Sequence, residues 1–304
     1  MSARRPGPLV LVAFAMVVIV GGSNFVAVRL SNRELPPFYG AGVRFVLAFL
    51  LVGAIAAATR TPLPRRRALL GAVLFGLLNF SLSYALFYWG LQEVPAALGG
   101  VVFGTVPLLT FVLALAQRQE RFRWRAVLGA AIAIAGVVLM VGAPGSTNVP
   151  LLSVLAVVAS AVGAAETAIV IKHFPSVPPI ALNTVGMGVG AVLLLATSAL
   201  TGERWTVPDD PATWWSLVYL CSVGSVGLFI GYVYVVQEWT ATGASYQFVL
   251  FPVVTAITGA LIADEPLSAA IALGGLLAVA GTWVGALAGT PADDETTAPV
   301  EPVG

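Results

Sequence analysis

The stretch 92–110, with the sequence QEVPAALGGVVFGTVPLLT, returns 145 residues later as 237–255, QEWTATGASYQFVLFPVVT. Extending the comparison to residue 136 at the same offset gives twelve identical pairs: Gln92/Gln237, Glu93/Glu238, Ala96/Ala241, Phe103/Phe248, Pro107/Pro252, Thr110/Thr255, Glu120/Glu265, Leu128/Leu273, Gly129/Gly274, Ala133/Ala278, Ala135/Ala280 and Gly136/Gly281. Apolar bias accounts for some of the Ala and Gly pairs. It does not account for the prolines, the Gln-Glu pairs and the isolated glutamates, so we interpret the two stretches as copies of one unit.

The composition excludes a water-soluble globular protein. Of the 304 residues, 59% are hydrophobic and only 10% are charged, whereas soluble domains carry about a quarter charged residues. So few charged side chains cannot cover a surface exposed to water, and lipid must be the outer solvent. The net charge of +1 gives no indication of a nucleic-acid partner. The single cysteine, Cys221, excludes an internal disulfide.

Ten apolar runs are long enough to cross a membrane, which takes about 20 residues of helix. They are continuous rather than alternating, so helices are predicted and not the strands of a barrel. The predicted spans are 9–30, 37–58, 68–90, 95–116, 126–143, 150–172, 179–200, 212–236, 242–262 and 268–288. Because the connections are short, consecutive helices form antiparallel hairpins.

A second offset, of 142 residues, relates the first two spans to the sixth and seventh. It aligns Gly21 with Gly163, Asn24 with Glu166, and the proline pair at 36–37 with the pair at 178–179. We therefore predict an all-α integral membrane protein with ten transmembrane helices, five in residues 1–145 and five in 146–289. Because five is odd, the second copy is inverted in the membrane. Residues 290–304 are expected to form a disordered cytoplasmic tail.

The distribution of Lys and Arg places the N-terminus in the cytoplasm. Eleven basic residues then lie on the cytoplasmic side: Arg4, Arg5, Arg60, Arg65, Arg66, Arg67, Arg118, Arg121, Arg123, Arg125 and Lys172. Only Arg29, Arg33 and Arg204 lie on the outer side. An even number of helices returns the C-terminus to the cytoplasm, so we expect a multi-pass protein of the cytoplasmic membrane with both termini inside.

Several motifs point to one family of membrane proteins. They are the segment 22–29 (GSNFVAVR), Pro36-Pro37, Arg44-Phe45, Tyr84-Ala85-Leu86, Pro95-Ala96-Ala97, Pro107, Glu120, and the segment 129–136. Together they resemble the EamA-type transporters of the drug/metabolite transporter superfamily over nearly the whole chain. The resemblance implies ten helices around a central cavity and export or uptake of amino acids or other small metabolites by secondary transport. Of the two directions, we favour efflux.

Inverted repeats are typical of alternating-access transporters, which hold the substrate near the midplane between the copies. An uptake carrier and a translocase of lipids, for example of the undecaprenyl type, stay open as alternatives. An intramembrane enzyme or a scaffold is less favoured, because no pair of reactive side chains lies at one depth. The sequence has no Walker loop, HExxH motif, Cys/His cluster or Ser-His-Asp set, so neither a cofactor nor a metal is expected. The expected partners are a small-molecule substrate and the lipid bilayer, and both a monomer and a homodimer are open.

Pro107 and Pro252 each fall at the middle of a predicted span. A proline inside a helix removes a backbone donor and frees the carbonyl four residues earlier, here that of Phe103 or Phe248. At midplane such a carbonyl needs another donor or must line a cavity. We interpret the two prolines as hinges beside the substrate pathway, the alternative being kinks that serve packing alone.

Arg44 is the one charged residue of the first half that lies well inside a span, seven residues after Pro37. An intramembrane charge is costly and marks a functional site by default. Asn24 lies at a similar depth on the neighbouring helix. The two could bind a carboxylate or stabilise a gate, or Arg44 could instead extend to the headgroups or bond helix-end carbonyls.

Glu166 is the repeat partner of Asn24 and lies in the cytoplasmic half. A carboxylate in a low-dielectric site can take up a proton, which suits proton coupling, whereas a position near the surface would favour pairing with Lys172 or His173. Further polar side chains inside the spans are candidates for the substrate pathway, although helix-to-helix hydrogen bonding is open for each of them. They are Asn79, Tyr84, Tyr88, Asn183, Tyr232, Tyr246 and Gln247.

Overall fold

The computed structural model describes residues 7–117, 124–141, 149–171, 174–238, 241–265 and 268–284. Within these ranges all regular secondary structure is helical. The segment 290–304, for which a disordered tail is predicted, lies outside the described residues, as do Glu120, Lys172 and His173.

Thirteen α-helices and two π-helical segments make up this described part. They are α1 (Pro8–Ser31), α2 (Pro37–Ala58), α3 (Arg67–Phe75), π1 (Gly76–Ser83), α4 (Tyr84–Gly90), α5 (Ala96–Gly104), α6 (Val106–Ala116), α7 (Trp124–Val141), α8 (Leu151–Ile171), α9 (Pro179–Leu200), α10 (Pro211–Cys221), π2 (Ser222–Gly227), α11 (Leu228–Glu238), α12 (Ala241–Ile262) and α13 (Ala269–Thr282). Each predicted span coincides with one helix or a run of consecutive helices. Span and helix ends agree within two residues, except that the predicted ends at 143, 172 and 288 lie outside the described residues.

Six helical stretches are long and apolar enough to cross a membrane, counting only the described residues. They are Pro8–Ser31, Pro37–Ala58, Arg67–Gly90, Ala96–Leu113, Pro179–Leu200 and Pro211–Val235, and shorter apolar helices cover Val127–Met140, Leu151–Thr167, Gln247–Ile262 and Ala269–Thr282. Large apolar side chains such as Leu261, which is 78% exposed, cover the outside. An apolar exterior over so many helices defines a multi-pass membrane protein.

Helix starts are fixed by proline and by carboxylates from distant loops. Proline stands in the first turn of α1, α2, α9 and α10, where its missing N–H costs nothing. At the start of α2 the backbone N–H groups of Phe38 and Tyr39 donate to Glu203, at 3.1 and 2.7 Å. Before α10, the N–H of Asp210 donates to Glu34. A negative charge is favourable at a helix N-terminus, where free N–H groups and the helix dipole point.

These carboxylate bonds define one end of the bundle, here called the distal end, at which α1 finishes. The loops after α1, α4, α9 and α12 lie there, because each bonds to another of these loops or to a helix end beside one of them. The opposite end, at which α1 begins, is called the proximal end. There a close approach of Gly71 to Phe174 brings the start of α3 beside the loop that follows α8.

Small residues bring the two halves of the chain into close contact. A Cβ at Gly136 of α7 would lie 2.7 Å from the backbone nitrogen of Ala278 in α13, so these helices pack backbone against backbone. On the other side of the molecule the hydroxyl of Thr255 donates to the carbonyl of Gly22, at 3.0 Å, and ties α12 to α1.

The two midspan prolines have different surroundings. α5 ends at Gly104 and α6 begins at Val106, so Pro107 stands in the first turn of a new helix. Pro252 lies inside the continuous helix α12. The segments nevertheless meet, since a Cβ at Gly104 would lie 3.0 Å from Cγ of Pro252. The sequence predicted one kind of kink in both copies, and the structure has a helix break in one and an uninterrupted helix in the other.

Candidate functional site

A cavity lies between the two halves of the chain and encloses about 770 Å³ of unfilled space, counting its open mouth. Eighteen residues line it: Val17, Gly21, Asn24, Phe25, Phe75, Asn79, Ser83, Tyr84, Phe87, Phe103, Ser160, Ala164, Thr167, Leu228, Phe229, Tyr232, Phe248 and Phe251. The lining extends towards the proximal end as far as Thr167, four residues before the end of α8. Towards the distal end, fully buried side chains such as those of Val28, Leu91 and Val94 fill the space between the helices.

Aromatic rings form half of the cavity wall. Phe25 contacts Phe87 and Phe103 edge to face, with ring centroids 5.0 and 5.2 Å apart. Tyr232 and Phe248, from the second half of the chain, pack with centroids 6.1 Å apart. Edge-to-face packing of this kind is favourable and fixes the ring orientations, so the cavity has a shaped apolar wall rather than a loose one.

In the described part of the chain, two buried polar atoms of the wall have no hydrogen-bond partner. They are Oδ1 of Asn24 and Oγ of Ser160, each on a side chain that is less than 5% exposed. An unpaired polar atom in an apolar site costs free energy. Both atoms lie buried within the wall and do not face the open space of the cavity.

Arg44 is fully buried directly behind this wall. Its Nε donates to Oγ of Ser225 at 2.9 Å, and its Nη2 donates to the carbonyl of Gly224 at 2.8 Å. A longer contact of 3.4 Å joins Nη1 to the hydroxyl of Tyr88. The guanidinium also lies 5.0 Å from the ring centre of Tyr84, which lines the cavity. Complete burial excludes the interpretation in which Arg44 extends to the headgroups.

The carbonyl of Gly224, in the second half of the chain, accepts hydrogen bonds from two side chains of the first half. It accepts from Nδ2 of Asn24 at 2.9 Å as well as from Arg44. Gly224 belongs to π2, a segment in which the regular i to i−4 bonding of the helix is interrupted. Asn24 and Arg44 thus lie together, as their similar depth predicted, and both bond a backbone group that a regular helix would have used.

The distal end is closed by an ion pair and a helix cap. Nε of Arg29 lies 3.3 Å from Oε1 of Glu265, and Arg29 also donates to the carbonyl of Val94. The same carboxylate accepts from the backbone N–H groups of Ala96 and Ala97 at the start of α5, at 2.9 and 3.3 Å. These bonds hold the last loop of the second half against the first half.

Glu166 lies at the proximal end. Both of its carboxylate oxygens accept from Nε2 of Gln117, at 3.0 and 2.8 Å, which joins the end of α6 to α8. Glu166 and Arg44 therefore bond to different groups, in line with the different depths of their positions in the sequence. Pairing of Glu166 with Lys172 or His173 concerns residues outside the described part.

The structure brings some of the predicted pathway residues together and separates others. Asn24, Asn79, Tyr84 and Tyr232 line the cavity, and Arg44 and Tyr88 lie behind it. Two further side chains are fully buried away from the lining. Asn183 donates to the carbonyl of Pro179, and neither polar atom of Gln247 has a partner. Tyr246 belongs to α12, but its side chain is outside the described part.

The phenylalanines of the wall were missed by sequence reasoning, which looked for polar groups. A signal did exist for two of them, because Phe103 and Phe248 are identical residues at equivalent repeat positions and both line the cavity. Ser160 and Thr167 carried no signal, since serine and threonine commonly bond to their own helix in membranes.

Fold and cavity together define a helical multi-pass membrane protein with an internal, largely apolar chamber. The model of the EamA-like transporter family matches the sequence twice, over residues 8–142 and 151–286. The chain therefore belongs to the EamA-like transporter family and contains its domain two times, which confirms the resemblance seen in the sequence motifs.

Relatives of known name are also transporters. An uncharacterized inner membrane transporter of Escherichia coli (strain K12), YedA, is 29% identical over 272 residues, which cover 88% of this chain and 87% of that protein. A "probable amino-acid metabolite efflux pump" of the same organism is 26% identical over 93% of this chain and 95% of its own length. A "probable terminal-alkyne amino-acid exporter" of Streptantibioticus cattleyicolor is 26% identical over 90% and 91%. These names indicate a transporter rather than an enzyme.

A solved crystal structure shares the fold. It superposes with a TM-score of 0.66 at 20% identity and covers 94% of this chain and all of its own. At this level of identity the likeness concerns the fold alone.

Proposed function

We propose that this protein is a secondary carrier that exports small metabolites, amino acids or related compounds among them, across the cytoplasmic membrane by alternating access. The observation that supports this most is the cavity, because its wall is built from both family domains and is packed shut towards one end. The efflux pump and the exporter among the relatives favour the outward direction. In this proposal ten helices cross the membrane, and residues 1–145 and 146–289 are inverted copies that move against each other.

The distribution of basic residues supports a proposed orientation of the bundle in the membrane. Eight described arginines lie at the ends of helices or in loops, and the proximal ones among them, Arg60, Arg65, Arg66, Arg67 and Arg125, outnumber the distal ones, Arg29, Arg33 and Arg204. By the positive-inside rule the proximal end is cytoplasmic. The cavity then extends towards the cytoplasm, which is the side from which an exporter takes up its cargo.

Helix α12 and the α5–α6 pair are proposed to bend during the change of access. They meet where Gly104 contacts Pro252, near the middle of both spans. Proline leaves a backbone carbonyl without its helical donor, so bending at these points breaks fewer hydrogen bonds than elsewhere.

Counterflow in proteoliposomes tests the carrier proposal. Vesicles loaded with an unlabelled solute, from a panel of amino acids, sugars and drugs, should take up the same labelled solute transiently if the protein is a carrier. Ala164→Phe, which fills the cavity, should abolish the signal. The matched control Ala57→Phe places the same ring on an exposed helix face and should leave counterflow intact. Equal counterflow in both variants would contradict a pathway through this cavity.

Proton coupling through Glu166 is a separate part of the proposal. Its support is the position of this carboxylate near the proximal end of the cavity, one residue before Thr167 of the wall. Transport should respond to an imposed pH gradient in the wild type and lose that response in Glu166→Gln. A response that is absent in the wild type, or unchanged in the variant, would show that Glu166 does not carry the proton.

A further inference from the structure

We propose that the cavity selects planar aromatic cargo that is neutral or anionic, and that Arg44 makes it discriminate against cations. This inference deepens the carrier function proposed above and rests on it. It assigns Arg44 a role in specificity, exerted through the cavity wall without contact with the cargo.

The shape of the wall favours a flat ring system. Nine of the eighteen lining residues are aromatic, and they come from both halves of the chain: Phe25, Phe75, Tyr84, Phe87, Phe103, Phe229, Tyr232, Phe248 and Phe251. Rings fixed edge to face present both faces and edges to the space between them, and a planar guest gains from stacked and edge-on contacts alike.

Among the described residues of the lining, none carries a charge. Aromatic faces alone would attract a cation. Here, however, the guanidinium of Arg44 already lies against the rings of Tyr84 and Phe45, at 5.0 and 5.2 Å from their centres. A positive charge is thus placed just behind the wall.

The charge of Arg44 is not neutralised by its hydrogen bonds. Its partners are a serine hydroxyl, a tyrosine hydroxyl and a backbone carbonyl, all of them uncharged. The carboxylate of Glu166 lies at the proximal end, where Gln117 bonds both of its oxygens. In a site of low dielectric, a unit charge acts strongly over distances of about 10 Å. Cargo beside Tyr84 therefore experiences a positive field.

Polar atoms in the wall complete the description of the cargo. Oγ of Ser160 and Oδ1 of Asn24 are buried in the wall without a partner among the described residues. If a guest displaces these side chains, Ser160 can donate to an oxygen of the guest and Asn24 can accept from an N–H or O–H group. An aromatic acid, amide or phenol satisfies one or both. An aromatic amidinium or ammonium would satisfy Asn24 but would oppose the field of Arg44.

Three probes of nearly equal size and shape separate charge from fit: 2-naphthoate, 2-naphthamide and 2-naphthamidine, which are anionic, neutral and cationic at pH 7. Binding to the purified full chain in detergent should be tightest for naphthoate or naphthamide and weaker by about tenfold or more for naphthamidine, as one unscreened charge predicts. Ala164→Phe should abolish binding of all three, which controls for partition into the micelle. Naphthamidine binding as tightly as the other two would overturn the inference.

Four variants test whether the preference comes from the field in the cavity. Asn79→Asp places a carboxylate in the wall at constant size and should invert the order, so that naphthamidine binds best. Glu93→Gln, at the exposed distal end, should leave the order unchanged. Arg44→Lys keeps the charge and should keep the order, and where Arg44→Met folds, as judged by its thermal unfolding, it should lose the preference. An order that survives in Asn79→Asp would show that shape alone decides.

Failure of this inference can be told apart from failure of the carrier function. If counterflow occurs with some solute while none of the naphthyl probes binds, the protein is a carrier and the cargo class is wrong. If the probes bind in the expected order but no solute exchanges, the ligand preference of the cavity is confirmed and the carrier function is wrong.

Discussion

The two π-helical segments occupy equivalent positions in the two copies. One is stabilised by a bond within the segment and the other by bonds from the other copy. At the offset of 145, residues 77–82 of π1 correspond to residues 222–227, the whole of π2. Within π1 the freed carbonyl of Leu78 accepts from Ser83 of the same segment, at 2.8 Å. Within π2 the carbonyl of Gly224 instead accepts from side chains of the other copy.

The helices that pack on these segments differ in the same way. At the offset of 142, Arg44 of α2 corresponds to Gly186 of α9. Arg44 donates hydrogen bonds to π2. Gly186 instead packs against π1 through its backbone, since a Cβ at Gly76 of π1 would lie 2.7 Å from the carbonyl oxygen of Gly186. One backbone shape is therefore stabilised by a buried charge in one copy and by close backbone contact in the other. The two copies therefore share a backbone geometry at this position, although different interactions stabilise it in each copy.

Removing the charge should have the largest effect. Arg44→Met deletes two short bonds to π2, and hydrogen bonds to a charged group contribute about 1.5–3 kcal/mol each, partly offset here by the relief of a buried charge. We expect a loss of about 2–4 kcal/mol in unfolding free energy in detergent. Arg44→Lys should lie between the variant and the wild type, because lysine lacks the fork of donors.

Arg33→Met, at the exposed distal end, is the control for Arg44→Met and should be near neutral. An Arg44→Met protein as stable as the wild type would mean that π2 does not need the guanidinium for its stability. The proposed difference between the interactions that stabilise π1 and π2 would then be wrong.

Adding a side chain at Gly186, which contacts π1 through its backbone, should have the next largest effect. Gly186→Ala places a Cβ 2.9 Å from Phe75 and 3.0 Å from Phe80 and forces rings of the core to move. We expect a loss of about 1–3 kcal/mol, measured as a lower midpoint of thermal unfolding. Gly53→Ala is the matched control on α2, since its Cβ would meet only Thr184, at 3.9 Å. It should be neutral or slightly stabilising, and equal losses in both variants would contradict a special contact at Gly186.

Asn24→Ala should cost about 1 kcal/mol, the usual contribution of one hydrogen bond. Because Asn24 and Arg44 donate to the same carbonyl, their losses should not add, and a double-mutant cycle in thermal unfolding measures the coupling. Ser83→Ala, which removes the local bond of π1, should by contrast add to Arg44→Met. Additive losses for Asn24 and Arg44 would show that Gly224 is not their shared point of action.

The smallest effect is expected at the distal closure. Glu265→Gln keeps one oxygen that can accept from the N–H of Ala96 or of Ala97, and it removes the charge that faces Arg29 and the helix N-terminus. For a partly exposed pair we expect a loss of about 0.5–1 kcal/mol that diminishes at high salt. Glu93→Gln, an exposed neighbour in the loop before α5, should show no such salt dependence. A salt-independent loss at Glu265 would assign the effect to packing instead.

Sequence reasoning located the helices because apolar runs of this length have one stable outcome in lipid. It also singled out Arg44 and Asn24, since a polar group inside a span needs a partner. It could not tell that the partners, Gly224 and Ser225, lie 180 to 200 residues away, because a backbone carbonyl has no signature in the sequence. The aromatic residues of the cavity wall were not predicted, for a different reason. In a membrane protein the lipid-facing and the inward-facing surfaces are both apolar, so periodicity does not show which phenylalanines face the cavity.

The glycine contacts between α7 and α13 have a consequence for the continuity of the chain. These helices close the first and the second half respectively, and the backbone of Gly136 approaches Ala278 without any covalent link nearby. With the ties from Thr255 to Gly22 and from Glu265 to Ala96, they join the halves through contacts that a cut between 145 and 146 would leave in place. The halves should therefore assemble when made as two separate polypeptides, because the information that pairs them is carried in helix faces and not in the peptide that connects them.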